Sequence, residues 1–369
     1  MKMAEKNPYH LRAMIPFDSD MFFGREREMR RIADMLSGEA PQCVSITGER
    51  RIGKSSLASR VFHGLRTAPN TQAVYLDCDG LPEDCQSKDR FFQVLNRKFM
   101  EMSPPVEKGK KKLFADYTSF KIFIGDSGRK GLKTIIFLDE FEHLPHDESK
   151  GNNTFADDIF FSNLRAMASD PANRLAFVTL SKTNLKELTH RSVQSSGFWN
   201  IFQAEPIGLL NAKSIERLRG YGFEKTGISL TEGELEKIHY YAGDFPFFNQ
   251  VVCGFLWDAR VSNDEPDWDD AAVKLLPFYE KLWEDRSREE QKLLKHLKGK
   301  EDMALKELKS RGVIIKKEDH YLAFCGYFSY LLDKRLEIKK EKLAEKEFIQ
   351  NVKEGLDILK KGRDVITGD

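Results

Sequence analysis

The sequence has few cysteines, no long apolar run and almost no net charge. Its five cysteines are widely spread and form neither a CxxC pair nor a zinc-ligand spacing, so we expect free thiols and no zinc site. The longest apolar runs fall far short of the roughly 18 residues that cross a bilayer. With 59 Lys and Arg against 58 Asp and Glu, no global field favours nucleic acid or membrane. No signal-peptide pattern follows residues 1–7. The sequence therefore predicts a cytoplasmic protein without a membrane partner.

Apolar segments without polar alternation are present, and helical segments separate them. This pattern is typical of a parallel sheet that is covered by helices on both faces. The segments are 42–48, 73–78, 134–138, 175–180 and about 201–205. At roughly 100–200 residues per domain, 369 residues predict two or three domains. We therefore expect an α/β domain over residues 21–210, after an N-terminal extension of residues 1–20.

The pattern changes to all-helical after Pro206. Residues 211–272 predict a small helical lid domain, with Gly220 and Gly243 as helix stops. Residues 273–335 predict two helices and a β-ribbon, which is the pattern of a winged-helix-like domain. Residues 336–369 predict a charged helical tail with a thin apolar stripe, a candidate for docking to a partner. The helices are expected at 212–219, 231–242, 246–261, 288–297 and 303–310, and the ribbon strands at 313–316 and 321–324.

The most specific motif is Gly-Glu-Arg-Arg-Ile-Gly-Lys-Ser at residues 48–55, which matches GxxxxGK[ST]. It follows a predicted strand and begins a predicted helix, as a phosphate-binding loop requires. The glycines let the loop curl, so that backbone N–H groups surround nucleotide phosphates. Lys54 should reach the β- and γ-phosphates, and the Ser55 hydroxyl should take one Mg²⁺ position. The predicted nucleotide contacts are Gly48, Glu49, Arg50, Arg51, Ile52, Gly53, Lys54, Ser55 and Ser56.

A second motif places two carboxylates, Asp139 and Glu140, at the end of the apolar segment 135–138. Asp139 would hold Mg²⁺ through water, and Glu140 would polarise the attacking water as a general base. A solvated pair of surface carboxylates is the alternative interpretation. Together with the phosphate loop, this segment predicts that the protein binds ATP with Mg²⁺ and hydrolyses it.

The segment Phe-Phe-Gly-Arg-Glu-Arg-Glu at 22–28, the loop at 48–55 and Phe-Leu-Asp-Glu-Phe-Glu at 137–142 together resemble a known family. They resemble the AAA+-related STAND ATPases and their relatives among the replication-initiator ATPases. The resemblance covers about residues 20–335 and implies a P-loop NTPase α/β fold with a helical lid and a winged helix. It also implies that Phe22, Phe23 and Gly24 face the adenine. A helix N-terminus packed on the sheet would account for the same residues.

The resemblance assigns three further positions. Ser181, with Thr183 as second choice, would sense the γ-phosphate at the tip of the fourth strand, although loop chemistry alone accounts for a Ser-Lys-Thr turn. Arg191 lies where oligomeric relatives keep an arginine finger. Pro246, in Gly-Asp-Phe-Pro, resembles the lid proline that contacts nucleotide, with Asp244 in place of the second glycine. A helix stop followed by a helix-starting proline is the alternative.

The sequence leaves three functions open. The first is a slow ATPase switch that couples its nucleotide state to lid and winged helix, with a separate effector or sensor protein and nucleotide-dependent homo-oligomerisation. The second is a DNA-bound initiator- or transposition-type ATPase. DNA is not favoured. The basic residues of the predicted winged helix stand among acidic ones, and the basic run at 108–112 lies in a predicted loop, where such runs are usually solvated. The third is a nucleotide-dependent scaffold that does not hydrolyse ATP. The basic residues in question are Lys306, Lys309, Arg311, Lys316 and Lys317.

Overall fold

The computed structural model describes residues 6–9, 14–102, 113–144, 155–186, 196–297 and 303–334. The predictions for Arg191, for the basic run at 108–112 and for the tail at 336–369 lie outside these residues. No helix in the described part of the chain is both long and apolar enough to cross a bilayer.

Five parallel strands form the central sheet, in the order β2-β3-β4-β1-β5. All seven residues of β4 and six of the seven in β3 are buried, which explains why these segments lack polar alternation. The predicted parallel α/β architecture is confirmed. The strands are β1 (Cys43–Thr47), β2 (Thr71–Asp77), β3 (Lys133–Asp139), β4 (Leu175–Ser181) and β5 (Phe202–Pro206).

Helices flank this sheet, and the strand register sets where the candidate residues lie. Asp77 pairs with Asp139 across β2 and β3, and Thr47 pairs with Ser181 across β1 and β4. The carboxyl ends of these four strands therefore meet at one edge. The helices are α1 (Glu26–Ser37), α2 (Lys54–Arg66), α3 (Lys88–Met102), α4 (Tyr117–Arg129) and α5 (Asp158–Ser169).

Helices follow β5, as predicted, but the first one does not end at Gly220. It continues to Thr226 and ends at Gly227, whose φ of 69° is the left-handed conformation that glycine adopts readily. A glycine inside a helix costs about 1 kcal/mol relative to alanine, and burial of Leu218 and Phe223 offsets that cost. Gly243 does end its helix, as expected. The helices are α6 (Ala212–Thr226), α7 (Glu232–Ala242) and α8 (Pro246–Val261).

A further helix, α9 (Trp268–Glu284), crosses the predicted domain boundary at 272/273. Because the helix is continuous there, that position does not separate two elements. We call the described residues after it, 285–297 and 303–334, the C-terminal module. The module contains α10 (Arg288–Lys295), α11 (Met303–Ser310), the antiparallel hairpin β6 (Ile314–Lys317) and β7 (His320–Ala323), and helical residues 326–334. Its assignment as a winged helix stays a prediction.

Candidate functional site

The loop between β1 and α2 is curled around the ammonium group of Lys54. The Lys54 Nζ donates to the carbonyl oxygens of Gly48 and Glu49 at 3.0 and 3.1 Å. A Cβ atom at position 48 would lie 2.4 Å from the Ile207 carbonyl oxygen, so the close approach requires glycine there. Gly53 has a φ of 107°, which side chains rarely allow. The loop therefore has the curled shape that presents backbone amides to phosphate groups.

The carboxylate of Asp139 is buried beside this loop and is held from two sides. Its Oδ1 accepts from the Glu140 amide at 2.9 Å, and its Oδ2 accepts from the Tyr75 hydroxyl at 2.6 Å. The Tyr75 hydroxyl is also hydrogen-bonded to the side chain of Ser55. Tyr75 thus brings together the two residues predicted to hold Mg²⁺.

Tyr75 is a site residue that sequence reasoning missed. It lies within the largely apolar strand β2, where an aromatic side chain is interpreted from sequence as part of the hydrophobic core. Burial and the nearby carboxylate of Asp139 raise its pKa well above the ordinary value, so that the hydroxyl keeps its proton and remains a donor. No local sequence signal could have identified it, because its position beside Asp139 follows from the pairing of strand β2 with β3, which ends in Asp139.

Glu140 is half-buried and adopts a left-handed backbone conformation, with a φ of 47°. Burial, and then the neighbouring carboxylate of Glu142, raise its pKa, whereas the Lys54 ammonium acts in the opposite direction. Glu140 therefore lies close enough to Lys54 to be influenced by its charge. A carboxylate in this position is suited to accept a proton from water.

Ser181 lies at the end of β4, next to the phosphate loop. Its carbonyl oxygen accepts from the Gly48 amide at 3.3 Å, whereas its hydroxyl donates to the Thr183 carbonyl at 2.8 Å. The following amide, of Lys182, donates to a Glu142 carboxylate oxygen at 3.3 Å. The tip of β4 is thus held between the loop and the acidic strand, and the γ-phosphate role of Ser181 stays a prediction.

Phe22, Phe23 and Pro246 line one cleft beside the phosphate loop, together with Gly53 and Ser56. Two arginines lie over the aromatic rings: Arg60 is 4.4 Å from the Phe22 centroid, and Arg217 is 5.0 Å from that of Phe23. The structure thus brings together three of the four positions that the resemblance assigned to base and lid contacts.

Gly24 and the N-terminal extension support the same cleft. Gly24 has a φ of 66°, and a Cβ atom there would lie 2.7 Å from the Ser214 hydroxyl oxygen. Only glycine fits between the segment and helix α6. The Ile15 amide donates to the Ser56 hydroxyl at 3.0 Å, and Ile15 lines the cleft. Sequence reasoning missed this contribution of the extension, because residues 14–20 carry no motif.

The side chains of three loop residues point to the helices that follow the sheet. Glu49 is fully buried and its carboxylate pairs with two arginines of the C-terminal module. The Arg50 Nε lies 3.5 Å from the Asp285 carboxylate. The guanidinium of Arg51 lies 4.4 Å from the Phe247 ring centroid. These residues can therefore offer backbone groups to phosphates, and their side chains have other partners.

Arg311 is one of the two arginines that bind Glu49, and its Nε donates at 2.7 Å. It is 3% exposed. Its inclusion in a basic face for DNA was therefore wrong, because a buried and paired guanidinium cannot reach a phosphate backbone.

The polar groups at the site are suited to bind a nucleotide together with Mg²⁺. Mg²⁺ prefers oxygen ligands, and Ser55 and Asp139 supply a hydroxyl and a carboxylate that share one hydrogen-bond partner. Phosphates prefer amide and ammonium groups, which the loop and Lys54 supply.

Comparison with known proteins agrees with this geometry at the level of the fold. No protein-family model matches the sequence, and no curated protein matches it. The Walker-type ATPase PABY2304 of Pyrococcus abyssi has a similar structure, with a TM-score of 0.55 and 15% identity, over 85% of this chain and 96% of that one. The ORC2 protein of Aeropyrum pernix, solved in ADPNP–ADP complexes, has a TM-score of 0.50 and 15% identity, over 88% and 98% of the two chains. The chain therefore has the α/β fold of the P-loop nucleotide-binding proteins.

Proposed function

We propose that this protein binds ATP with Mg²⁺ and hydrolyses it slowly. One observation carries the proposal: Tyr75 joins Ser55 and Asp139 beside a loop that is curled around Lys54. A loop of this motif that follows a strand and begins a helix is the structural context that a phosphate-binding loop requires.

In this proposal each residue has a separate task. Lys54 and the loop amides bind the β- and γ-phosphates, and Ser55 and Asp139 hold the metal ion. Mg²⁺, when bound, neutralises the charge on the phosphate oxygens. Tyr75 orients the Asp139 carboxylate by its hydrogen bond. Glu140 accepts a proton from the attacking water.

The base of the nucleotide is assigned to the cleft of Phe22, Phe23 and Pro246. The two phenylalanines contribute apolar lining to the cleft, and Pro246 begins α8, so a nucleotide in the cleft would contact both the sheet domain and the helices after it. This contact is the basis for an ATP-dependent switch of the STAND type.

Nucleotide binding and single-turnover hydrolysis test the proposal. We expect Lys54→Ala to abolish ATP binding, because the side chains of the other two cations of the loop, Arg50 and Arg51, contact Asp285 and Phe247 instead. Glu140→Gln should keep ATP affinity and lose hydrolysis by about 10²–10⁴-fold, the usual contribution of a general base. Lys133→Ala is the matched control, since Lys133 begins β3 and its Nζ donates to the Ser37 carbonyl.

Two outcomes would contradict this assignment. Retention of ATP affinity by Lys54→Ala would show that the phosphates do not bind at this loop. Equal single-turnover rates in the wild type and in Glu140→Gln would favour the scaffold that does not hydrolyse ATP.

The switch also requires a partner, which we propose is a separate effector or sensor protein, recruited by a nucleotide-dependent homo-oligomer. The Glu140→Gln variant trapped with ATP should retain that partner during purification. Purification without nucleotide is the control, and equal recovery of the partner in both states would argue against a switch.

A DNA-bound initiator-type ATPase is the second candidate. Four lysines of the C-terminal module, Lys306, Lys309, Lys316 and Lys317, are exposed, and ORC2 shares the fold. Exposed Glu318 and Asp319 stand beside the hairpin lysines and weaken such a surface. Retention on duplex DNA that falls steeply with salt would support this candidate, and no retention at low salt would reject it.

A further inference from the structure

A buried ionic cluster joins the phosphate loop to the C-terminal module. Glu49, the second residue of the loop motif, is fully buried, and both of its carboxylate oxygens are engaged. Arg286 donates to both oxygens, one of them at 2.7 Å, and the Arg311 Nε donates to the first at 2.7 Å. Glu290 completes the cluster by accepting from Arg311 at 2.8 Å. We call these four residues the ionic latch.

A second set of charges lies beside the latch and joins the same parts of the chain. Asp285 is the first residue of the C-terminal module. Its carboxylate lies 3.5 Å from the Arg50 Nε of the phosphate loop and 3.5 Å from the Lys182 Nζ at the tip of β4. The module therefore contacts two of the elements that surround the predicted γ-phosphate position.

The backbones also approach closely next to Arg311. A Cβ atom at Gly208, just after β5, would lie 2.7 Å from the Ser310 carbonyl oxygen. Gly312 has a φ of 81°, and a Cβ atom there would lie 3.0 Å from the Leu209 amide nitrogen. The module is thus seated directly on the end of the sheet domain, where bulkier residues would separate the two.

The charges of the latch balance one another inside the protein. Two guanidinium groups face two carboxylates, and both Arg286 and Arg311 are at most 5% exposed. Burial opposes the charge on Arg311, but Glu49 and Glu290 outweigh it and raise its pKa. A buried pair of this kind is strongly destabilised when one partner is removed, because the other charge stays uncompensated. The position of the module is therefore sensitive to the position of Glu49.

Glu49 contacts the phosphate site and the module at the same time. Its carbonyl oxygen accepts from Lys54, while its side chain accepts from Arg286 and Arg311. Anything that fixes the loop backbone also fixes the carboxylate of the latch, and a seated module likewise restrains the loop.

We propose that Glu49 is a positioning residue through which phosphate binding and seating of the C-terminal module favour each other. The inference rests on the proposed nucleotide binding. Coupling between two sites is reciprocal, so the factor by which the latch raises nucleotide affinity equals the factor by which nucleotide stabilises the seated module. An order of about 5- to 150-fold is typical of such coupling.

Hydrogen exchange of the full chain, with and without magnesium and a non-hydrolysable ATP analogue, tests the coupling. In the wild type we expect the analogue to slow exchange in peptides of 286–297 and 303–324, as well as in the phosphate loop. In Glu49→Gln the analogue should bind about 5- to 150-fold more weakly, and the protection of the module should be lost. Arg31→Ala is the matched control, because Arg31 pairs with the buried Glu205 within the sheet domain and not with the module.

The wild-type measurement keeps the test decisive if Glu49→Gln does not fold. Arg311→Met supplies a second variant, since it leaves Glu49 paired with Arg286, and it should weaken the coupling without removing it. Analogue binding by the wild type with protection confined to the phosphate loop would overturn the latch and leave the proposed function intact. Failure of the wild type to bind the analogue would instead contradict the proposed function.

Discussion

Tyr75 is the residue on which the arrangement of the predicted metal ligands depends. Its hydroxyl donates to Asp139 at 2.6 Å and is hydrogen-bonded to Ser55. Residues that orient a metal ligand typically contribute 10–100-fold to metal affinity or activity. We therefore expect Tyr75→Phe to raise the Mg²⁺ concentration for half-maximal hydrolysis, or to lower the rate, by about 10–100-fold.

A magnesium titration of the hydrolysis rate checks this prediction. Tyr117→Phe is the control, because it makes the same change on α4, outside the candidate site. An unchanged magnesium dependence in Tyr75→Phe would mean that Asp139 holds its position without the tyrosine.

Single residues also show how far the sequence could predict this site. Lys54, Ser55 and Asp139 were predictable because motif spacing, strand and helix all specify them locally. Tyr75 was not predictable, because its role depends on strand register. Arg286 and Arg311 were not predictable either, because each contacts Glu49 from more than 200 positions away in the sequence. Arg286 and Arg311 lie just outside helix ends, where a buried arginine cannot be distinguished in sequence from a solvated one.

At the scale of elements, Glu290 of α10 binds the two arginines that pair with Glu49 of the phosphate loop. Burial disfavours its charge, but Arg311 and then Arg286 outweigh burial and lower its pKa. A carboxylate whose pKa is lower in the folded state stabilises the fold above the ordinary carboxyl pKa of about 4.3, and this contribution is lost as the pH falls through the folded value. The capping box of α10 places Glu290 also against the Ser287 amide, at 2.8 Å.

Glu290→Gln should therefore lower the melting temperature at neutral pH and have little effect well below pH 4.3. Glutamine keeps an acceptor for the Ser287 amide, so the difference reports the charge. Thermal unfolding of both proteins across this pH range is the measurement. Glu234→Gln in the capping box of α7 is the control, because its box is built alike and lies outside the latch. An equal loss at all pH values would show that packing, and not charge, is the contribution of Glu290.

Elements of the sheet were easier to predict than those after it. Strands β3 and β4 are almost entirely buried, and all five strands were located within a few residues. Helix α6 passes through two glycines because tertiary contacts offset their cost; at Gly222 a Cβ atom would lie 2.6 Å from the ring of Tyr9. Helix α9 joins two predicted domains because its buried residues, such as Leu275 and Tyr279, continue across position 272. Such contacts leave no local signal.

At the scale of the whole molecule, the latch predicts that the sheet domain and the C-terminal module unfold together. The buried apolar residues of both parts belong to one continuous core, which includes Val44 in β1 and Phe328 near the end of the described chain. Chains of several domains often unfold in separate steps, so a single transition requires strong contact between the parts. We expect one calorimetric transition in the wild type.

Arg286→Met should divide that transition into two. The substitution leaves Glu49 with one cation, and loss of one partner of a buried ion pair typically costs about 3–5 kcal/mol. This cost falls on the contact between the parts and not on the packing within either part. ATP with Mg²⁺, at 100 times its dissociation constant, should stabilise the folded wild type by about 2.7 kcal/mol and so raise the temperature of the whole transition. In the variant it should raise only the step that belongs to the sheet domain. Two transitions in the wild type would show that the latch does not make the two parts unfold together. A variant that unfolds in one step and responds to ATP as the wild type does would show that the module keeps its position without the arginine.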